Sequence, residues 1–395
     1  MRRTSVVLAC AFLLTCAASA GARAAGAQAT DPLSPRLPPQ GDTLTLADAQ
    51  RRALEQNPSF LASHQEREIA RGRLRQARVY PFNPELELRT PALASGGVRG
   101  GGTFGEYELF LSQEVEWAGQ RGLRTRAARL DVERVDAFVR DAARQMLAAV
   151  SEAFYTALAA ERRADLAREI HELNRRLVDA VRTQARAGET SRLEANLAEI
   201  ELGRARARVL AVEREAASAR LELQRLTGLG ATATARLEEP PPVTLAPAAL
   251  DPDSLLAQAL ARRPDLVEHA RAAEQARALI RLAQREAVPN LRLGALVERG
   301  EAGGEPRLGI GVSLPVPLWN RNQGTIAERH AEAEQATYAR QATALAVRTE
   351  VLGAYRAYVA AHEQAEVFER DVLQPARTNQ ALLETAYRAG RLDLP

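Results

Sequence analysis

The feature that most constrains the fold of this chain is an internal repeat. Short segments of the first half recur in the second half in the same order and at a nearly constant offset. The matching pairs are Ala53–Pro58 with Ala259–Pro264, Pro84–Leu88 with Pro289–Leu293, Glu114–Trp117 with Val316–Trp319, and Ala187–Glu189 with Ala389–Arg391. A repeated order of this kind indicates two copies of one structural unit.

The N-terminus has the pattern of a secretory signal. Arg2 and Arg3 supply positive charge, and an apolar run follows over residues 6–14. That run is shorter than the roughly 20 residues that a membrane-spanning helix needs. Both cysteines, Cys10 and Cys16, lie in this segment, and a weak lipoprotein-like box leaves lipidation of Cys16 open. We therefore expect an exported protein whose mature part has no disulfide.

Proline-rich stretches divide the rest of the chain. We expect a signal peptide over residues 1–24 and a leader over residues 25–42. The first copy then covers residues 43–230, a stiff proline-rich linker covers 231–251, and the second copy covers 252–395.

Each copy has the same order of elements: a helix, a strand, a loop, a strand and a very long helix that ends in a turn. For copy one the sequence predicts helix 46–80 broken at Asn57–Pro58, strands 84–90 and 106–116, helix 120–187, a turn at Gly188 and a helix over about 190–228. For copy two it predicts helix 252–287, strands 289–298 and 307–316, and helix 321–388. At 1.5 Å per residue, helix 120–187 would be about 100 Å long, far more than a globular core needs.

The predicted strands have two different faces. From Tyr107 to Trp117 apolar and polar residues alternate, and Leu308–Leu314 alternates large apolar residues with Gly or Ser. A period of two is the pattern of a strand, and about 9–11 such residues can cross a membrane with the apolar side chains outward. A soluble hairpin packed on the helices is the alternative interpretation, because each strand signal is weak.

Four strands per chain are too few to enclose a pore. Single-chain barrels begin at about eight strands, and lipid does not tolerate an open sheet edge. Several subunits must therefore share one barrel if these strands cross a membrane. Trp117 and Trp319 each close a strand just before a long helix, which fits an interface girdle of aromatic side chains. A buried core tryptophan is the alternative at either position.

Apolar residues form narrow seams along the long helices. One seam steps by three or four residues through Leu166, Ile170, Leu173, Leu177 and Val181, and another through Leu193, Leu197 and Ile200. Such seams predict helices that pack side by side as coiled coils, with Arg and Glu covering the remaining faces.

The chain shows no pattern for catalysis or for a resident cofactor. There is no nucleophile motif, no His-x-x-x-His pair for a metal, and neither glycine cluster leads directly into a helix. A net charge of +3 does not call for a nucleic-acid partner. We predict no catalytic, cofactor-binding or metal site, no cofactor and no enzyme activity.

Several of these segments together resemble the outer-membrane efflux protein family, the TolC-like outer membrane factors. They are the repeat, the opening Ala53–Pro58, the junctions Ser112–Arg124 and Val312–Gly324, and the two Ala-Gly turns. The spacing of Gln113, Glu116, Gly119 and Arg121 is similar to the heavy-metal, cobalt-zinc-cadmium-type branch. The fold class implied is mainly α with a β-barrel part: four transmembrane strands per subunit and long periplasmic coiled-coil helices.

The resemblance also implies partners and sites. It implies a homotrimer in the cell outer membrane that docks through a periplasmic adaptor to an inner-membrane RND-type pump. The adaptor-contact residues at the helical tips map onto Gly188, Glu189, Thr190, Gly390, Arg391 and Leu392, and a periplasmic-mouth gate maps onto Asp393. Copy two stops at Pro395, so we expect a truncated repeat without the counterpart of helix 190–228.

The leading hypothesis is a passive exit channel of a tripartite efflux system that exports heavy-metal cations. A duct for drugs or for type I secreted polypeptides is a related alternative. A soluble periplasmic coiled-coil scaffold is an alternative of another class, and the position of the protein in the soluble or membrane fraction would distinguish it.

Overall fold

The structure, a computed structural model, describes residues 43–89, 107–230, 235–240, 250–299 and 305–388. Eight α-helices lie in these ranges: α1 Leu46–Gln56, α2 Pro58–Arg78, α3 Gln120–Ala187, α4 Arg192–Thr227, α5 Pro252–Arg262, α6 Pro264–Glu286, α7 Gln323–Phe368 and α8 Gln374–Arg388. The strands within the same ranges are β1 Thr43–Leu44, β2 Glu85–Arg89, β3 Tyr107–Val115, β4 Arg236–Leu237, β5 Leu291–Arg299 and β6 Arg307–Ser313. The predicted mainly α fold is confirmed.

The break predicted at Asn57–Pro58 is present and has a local cause. Pro58 cannot donate the backbone hydrogen bond that a continuous helix requires, so α1 ends there and α2 begins. Asn57 caps α2, because its side-chain oxygen accepts hydrogen bonds from the N–H groups of Ser59 and Phe60 at 2.9 and 3.2 Å. Pro264 divides α5 from α6 in the same way.

Four strands form one antiparallel sheet in the order β2-β3-β5-β6. Each strand adjoins a helix in the sequence: α2 leads into β2, β3 leads into α3, α6 leads into β5, and β6 leads into α7. The helices pack in the same order, α2 on α3, α3 on α6, and α6 on α7. The sheet therefore continues a layer of four helices, and the two copies meet at the β3–β5 and α3–α6 contacts. Within the described ranges, β2 and β6 are its open edges.

The largest core cluster lies where α1, α3 and α4 meet. The parallel pair β1–β4 closes this core from one side. Its buried members are Leu44, Ala49, Ala53, Val150, Ala153, Phe154, Ala157, Leu223, Leu226 and Leu237. Full burial of a side chain as large as Phe154 stabilises the fold by roughly 1.5–3 kcal/mol. This core belongs entirely to copy one and the segment that follows it.

The predicted leucine seams do not form the contact between α3 and α4. Leu166, Ile170 and Leu173 on α3 are exposed, and so are Leu193, Leu197 and Ile200 on α4. The two helices instead meet through small side chains, including Ala164, Ala167 and Val212. Small residues bring the helix axes close together, and the larger leucines then lie outside that contact. The seams therefore do not pack against each other within one chain, and the predicted coiled-coil contacts through them are not part of this helix pair.

The second long helix also differs from its prediction. The sequence pattern predicts one helix over 321–388, but a π-helical turn, Glu369–Leu373, separates α7 from α8. Pro375 follows at once, and proline removes one backbone donor from a helix, which is a common cause of such an irregularity. Strand β6 ends at Ser313, three residues earlier than predicted, because Pro315 and Pro317 cannot donate to a ladder.

Candidate channel wall and helical tip

The register of the sheet places almost all its large apolar side chains on one face. Paired residues of neighbouring strands share a face, so the pairs Leu88–Leu109, Leu109–Val297 and Val297–Leu308 belong to one apolar face. Further along, this face carries Leu86, Leu111, Leu293, Ala295, Ile310 and Val312. Leu308 and Ile310 are 85% and 93% exposed, so none of the described helices covers them. The predicted two-faced strands are confirmed, and they do not pack on helices as a soluble hairpin would.

The opposite face of the sheet is polar and carries ion pairs. Arg292 contacts Glu85 at 3.4 Å and Glu114 at 3.9 Å, and so joins the first three strands of the sheet. Asn290 donates a hydrogen bond to Glu114 at 2.8 Å. Nearer the other end of the sheet, Arg89 pairs with Glu87 at 2.8 Å and with Glu108 at 3.6 Å. A face of this composition is suited to water.

Three small residues occupy neighbouring positions on this polar face. Ser112, Gly294 and Gly311 lie side by side across three strands. The ring of Phe110 lies over Gly294, where an added Cβ would be 2.5 Å from its Cζ atom. A side chain at residue 294 would therefore displace the ring, whereas the space at Gly311 is open.

The junction motif at the end of β3 holds the strand to the helices. Gln113 donates to the carbonyl oxygen of Phe82 at 3.1 Å, and buried Glu116 forms an ion pair with Arg124. Gly119, the residue before α3, has a φ of 81°, a conformation that is unfavourable for residues with a side chain. Arg121 donates two hydrogen bonds to the carbonyl oxygen of Arg78, the last residue of α2, at 3.0 and 2.7 Å. The motif therefore fixes the angle between the sheet and the helices.

Sequence reasoning missed one residue of this junction, Tyr80. Its hydroxyl donates to the carbonyl oxygen of Glu114 at 2.9 Å and accepts from the N–H of Glu116 at 2.8 Å. The residues of the polar ion-pair cluster, Glu85 and Arg292, were also not singled out. Their alternation with apolar neighbours placed them on the polar face, but only the strand order shows that they meet.

Both tryptophans lie exposed at the junctions. Trp117 is 63% exposed, and its ring N–H donates to the carbonyl oxygen of Pro289 at 2.9 Å. Trp319 is 86% exposed. Neither is a buried core residue in this chain, which excludes that alternative within the single subunit.

The far end of α3 makes a tight turn into α4. Gly188 ends α3 with a φ of 80°, and the N–H of Glu189 donates to the carbonyl oxygen of Gln184 at 3.0 Å. Glu194 then accepts from the hydroxyl of Thr190 at 2.8 Å and from the N–H of Ser191 at 3.0 Å. The Thr190 hydroxyl and then the Ser191 groups lower the pKa of Glu194. Gly188, Glu189 and Thr190 thus lie together on one capped turn, whereas Gly390, Arg391, Leu392 and Asp393 lie outside the described residues.

A comparison with known families decides the identity of the fold. The model of the outer membrane efflux protein family matches residues 50–229 and 255–392, which is most of both copies. This chain belongs to the outer membrane efflux protein family. The efflux protein is therefore an outer-membrane channel subunit whose helices extend into the periplasm, as the resemblance implied.

Individual relatives of the efflux protein agree with this assignment. It is 24% identical, over 350 residues that cover 89% of this chain and 81% of the relative, to the cobalt-zinc-cadmium resistance protein CzcC of Cupriavidus metallidurans. Its fold is similar to that of a membrane protein from Pseudomonas aeruginosa, with a TM-score of 0.68, 21% identity and coverage of 88% and 84% of the two chains. The CmeC outer membrane channel of Campylobacter jejuni also matches, with a TM-score of 0.68, 15% identity and coverage of 88% and 78%.

The described part of the efflux protein also bears on other classes of site. None of its helices is both long and apolar enough to cross a membrane. No three His, Cys, Asp or Glu side chains among the described residues come together as metal ligands would. Membership of the outer membrane efflux protein family indicates a transport role.

Proposed function

We propose that this protein is the passive outer-membrane exit channel of a tripartite efflux system for heavy-metal cations. The observation that carries the channel geometry is the four-stranded sheet with one exposed apolar face, one ion-paired polar face and two open edges. Three copies would supply twelve strands, which exceeds the roughly eight that a closed barrel needs. The apolar faces would then contact lipid, and the polar faces would line a water-filled passage.

The assembly would be a homotrimer whose helices continue the barrel as a tunnel. The exposed seams on α3 and α4 support this, because contiguous apolar surface on helices is suited to contact with a neighbouring copy. In such an assembly Trp117 and Trp319 would form the girdle at the membrane interface. The packing seams predicted from the sequence would then be used between subunits rather than between α3 and α4.

The partners proposed are a periplasmic adaptor and an inner-membrane RND-type pump. The adaptor would contact the tips at Gly188, Glu189 and Thr190, and at Gly390, Arg391 and Leu392, with Asp393 at the periplasmic mouth. The capped turn at Gly188 supports this, because a rigid tip loses little entropy when it docks.

Heavy-metal cations are proposed as cargo because the relative CzcC is named for cobalt, zinc and cadmium resistance. A strain lacking this gene should lose tolerance to these cations and keep its tolerance to drugs. Complementation with the wild-type gene should restore metal tolerance. Loss of drug tolerance alone would instead favour the alternative of a drug duct, and recovery of the chain in the soluble periplasm would favour a scaffold.

A crosslinking experiment tests the adaptor contact directly. A cysteine at Glu189, in a chain without Cys10 and Cys16, should crosslink to a co-expressed adaptor, whereas a cysteine at exposed Arg129 near the sheet should not. Equal crosslinking at both positions would contradict docking through the tip.

A further inference from the structure

The ends of the helices next to the sheet carry a concentration of positive charge. We define the basic belt as the four fifteen-residue segments that adjoin the strands, residues 70–84, 116–130, 276–290 and 314–328. These segments contain twelve arginines and three glutamates, although the whole chain has a net charge of only +3. At the other end of the α3–α4 hairpin, residues 173–202 contain five basic and five acidic residues. The excess charge is therefore a property of one end of the helical layer.

Many of the belt arginines have no anionic partner within the described part of the chain. Exposed examples without an ion pair are Arg75 and Arg78 on α2, Arg126 and Arg129 on α3, and Arg281 and Arg285 on α6. Elsewhere the chain pairs its exposed arginines readily, as in Arg175 with Glu172 and Arg204 with Glu201. Exposed arginines without an ion pair also occur elsewhere among the described residues, as at Arg206 and Arg208, so the feature that distinguishes the belt is its ratio of twelve arginines to three glutamates.

The helix dipoles explain only half of this arrangement. Arg75 and Arg78 lie in the last turn of α2, where positive charge is favourable. The positive pole of α3 lies at the same level, yet its first turn has no acidic residue and Arg121 and Arg124 lie within it or just beyond. Of the helices that begin away from the sheet, α1, α4, α5 and α6 each carry an acidic residue in the first turn, whereas α2 and α8 carry none. Arg121 and Arg124 have partners within the chain, the carbonyl oxygen of Arg78 and Glu116, but Arg126 and Arg129, which follow on α3, have no ion pair.

We propose that the basic belt binds the phosphate groups of anionic phospholipids in the membrane leaflet that faces the periplasm. This inference rests on the membrane position of the sheet proposed above. The apolar face of the sheet ends where the belt begins, and the exposed ring of Trp117 lies among the first residues of one belt segment, so headgroup phosphates would lie level with the belt. The guanidinium group matches a phosphate with two parallel hydrogen bonds, and all basic side chains here are arginines.

The test compares two variants with the same change of charge. The belt variant carries Arg75→Gln, Arg78→Gln, Arg126→Gln and Arg129→Gln. The control variant carries Arg186→Gln, Arg192→Gln, Arg206→Gln and Arg208→Gln, which are exposed arginines on the α3–α4 hairpin away from the sheet. Full-length proteins are placed in nanodiscs of phosphatidylcholine alone or with phosphatidylglycerol, and the apparent unfolding temperature is measured.

We expect phosphatidylglycerol to raise the unfolding temperature of the wild type and of the control variant, and the belt variant to lose that rise. A variant with Lys at the four belt positions should keep most of the rise, because it retains the charge. An equal rise in the belt variant overturns the proposal. An equal rise on adding inorganic phosphate to phosphatidylcholine discs overturns the lipid as the source of the phosphate. Failure of the wild type to enter any nanodisc would instead contradict the proposed function.

Discussion

The two copies share one order of elements but differ in how their helices are buried. In copy one, α1 packs with α3 and α4, and Ala49 and Ala53 of α1 are fully buried. In copy two, α5 packs on α7, has no buried residue, and meets no third long helix among the described residues. A repeat in sequence thus guarantees the same elements, whereas the core depends on which helices are present to pack together. Copy one has a large core of its own, whereas the packing of copy two depends more on the contact of α6 with α3 of copy one.

The largest expected effect tests the core of copy one. Phe154→Ala should lower the free energy of unfolding by about 3–5 kcal/mol, because the buried ring leaves a cavity between α1, α3 and α4. Tyr338→Ala on α7 is the matched control, since that ring is 66% exposed, and its cost should be within about 0.5 kcal/mol. Denaturant unfolding of the detergent-solubilised protein, followed by helical circular dichroism, measures both. A similar loss in both variants would show that a neighbouring subunit completes the core of copy two.

The helix breaks provide the next comparison. Asn57 caps α2 and also donates to the carbonyl oxygen of Leu226 at 2.9 Å, so it ties the break to the end of α4. Its counterpart Arg263 caps nothing with its side chain and instead pairs with Asp265 and Glu350. Asn57→Ala should cost about 1–3 kcal/mol in unfolding experiments, and Arg263→Ala should cost less. A larger loss of unfolding free energy for Arg263→Ala than for Asn57→Ala would show that the break between α5 and α6 is stabilised more strongly than its burial indicates.

The starts of the two long helices differ in a smaller way. Gly119 and Asn322 both adopt positive φ angles, 81° and 60°, before α3 and α7. Gly119→Ala should cost about 1–2 kcal/mol from backbone strain alone, because an added Cβ meets nothing within 4 Å. Gly119→Asn should cost less, since asparagine tolerates this conformation, as Asn322 does. Equal losses in thermal unfolding would contradict strain as the cause.

The smallest expected effect concerns the contact between α3 and α6, where the two copies meet. Burial between α3 and α6 raises the pKa of Glu268 above 4.5, although Arg134 and His269 oppose this. The folded protein therefore binds this proton more tightly than the unfolded chain, so the contribution of Glu268 to stability increases as the pH falls through its raised pKa. This contribution stays constant at pH values below the pKa of Glu268 in the unfolded chain. Glu268→Gln should remove this part of the pH dependence, which unfolding temperatures measured from about pH 7 to about pH 4 would show.

Much of the architecture could be predicted because it follows from local patterns. The period of two between Tyr107 and Trp117 predicted β3 to within one residue at each end, and the Gly188 turn predicted the end of α3 at the residue. The face that α3 uses against α4 could not be predicted, because the alanines that meet there are as frequent on its other faces. At the candidate sites, the roles of the tip residues and of the tryptophans stay predictions, although the Gly188 turn itself was found from the sequence. The contact of Tyr80 with β3 was not, since it depends on how the chain returns after 34 residues.

The open edges of β2 and β6 have a consequence for heredity. If every closed barrel takes one sheet from each of three chains, a single subunit whose β2 or β6 edge cannot pair prevents that barrel from closing. In a cell that makes wild-type and edge-mutant chains together, the fraction of barrels that contain only wild-type chains is the cube of the wild-type fraction of chains. Edge mutations should therefore act as dominant defects, whereas mutations that prevent the chain from folding at all should be recessive.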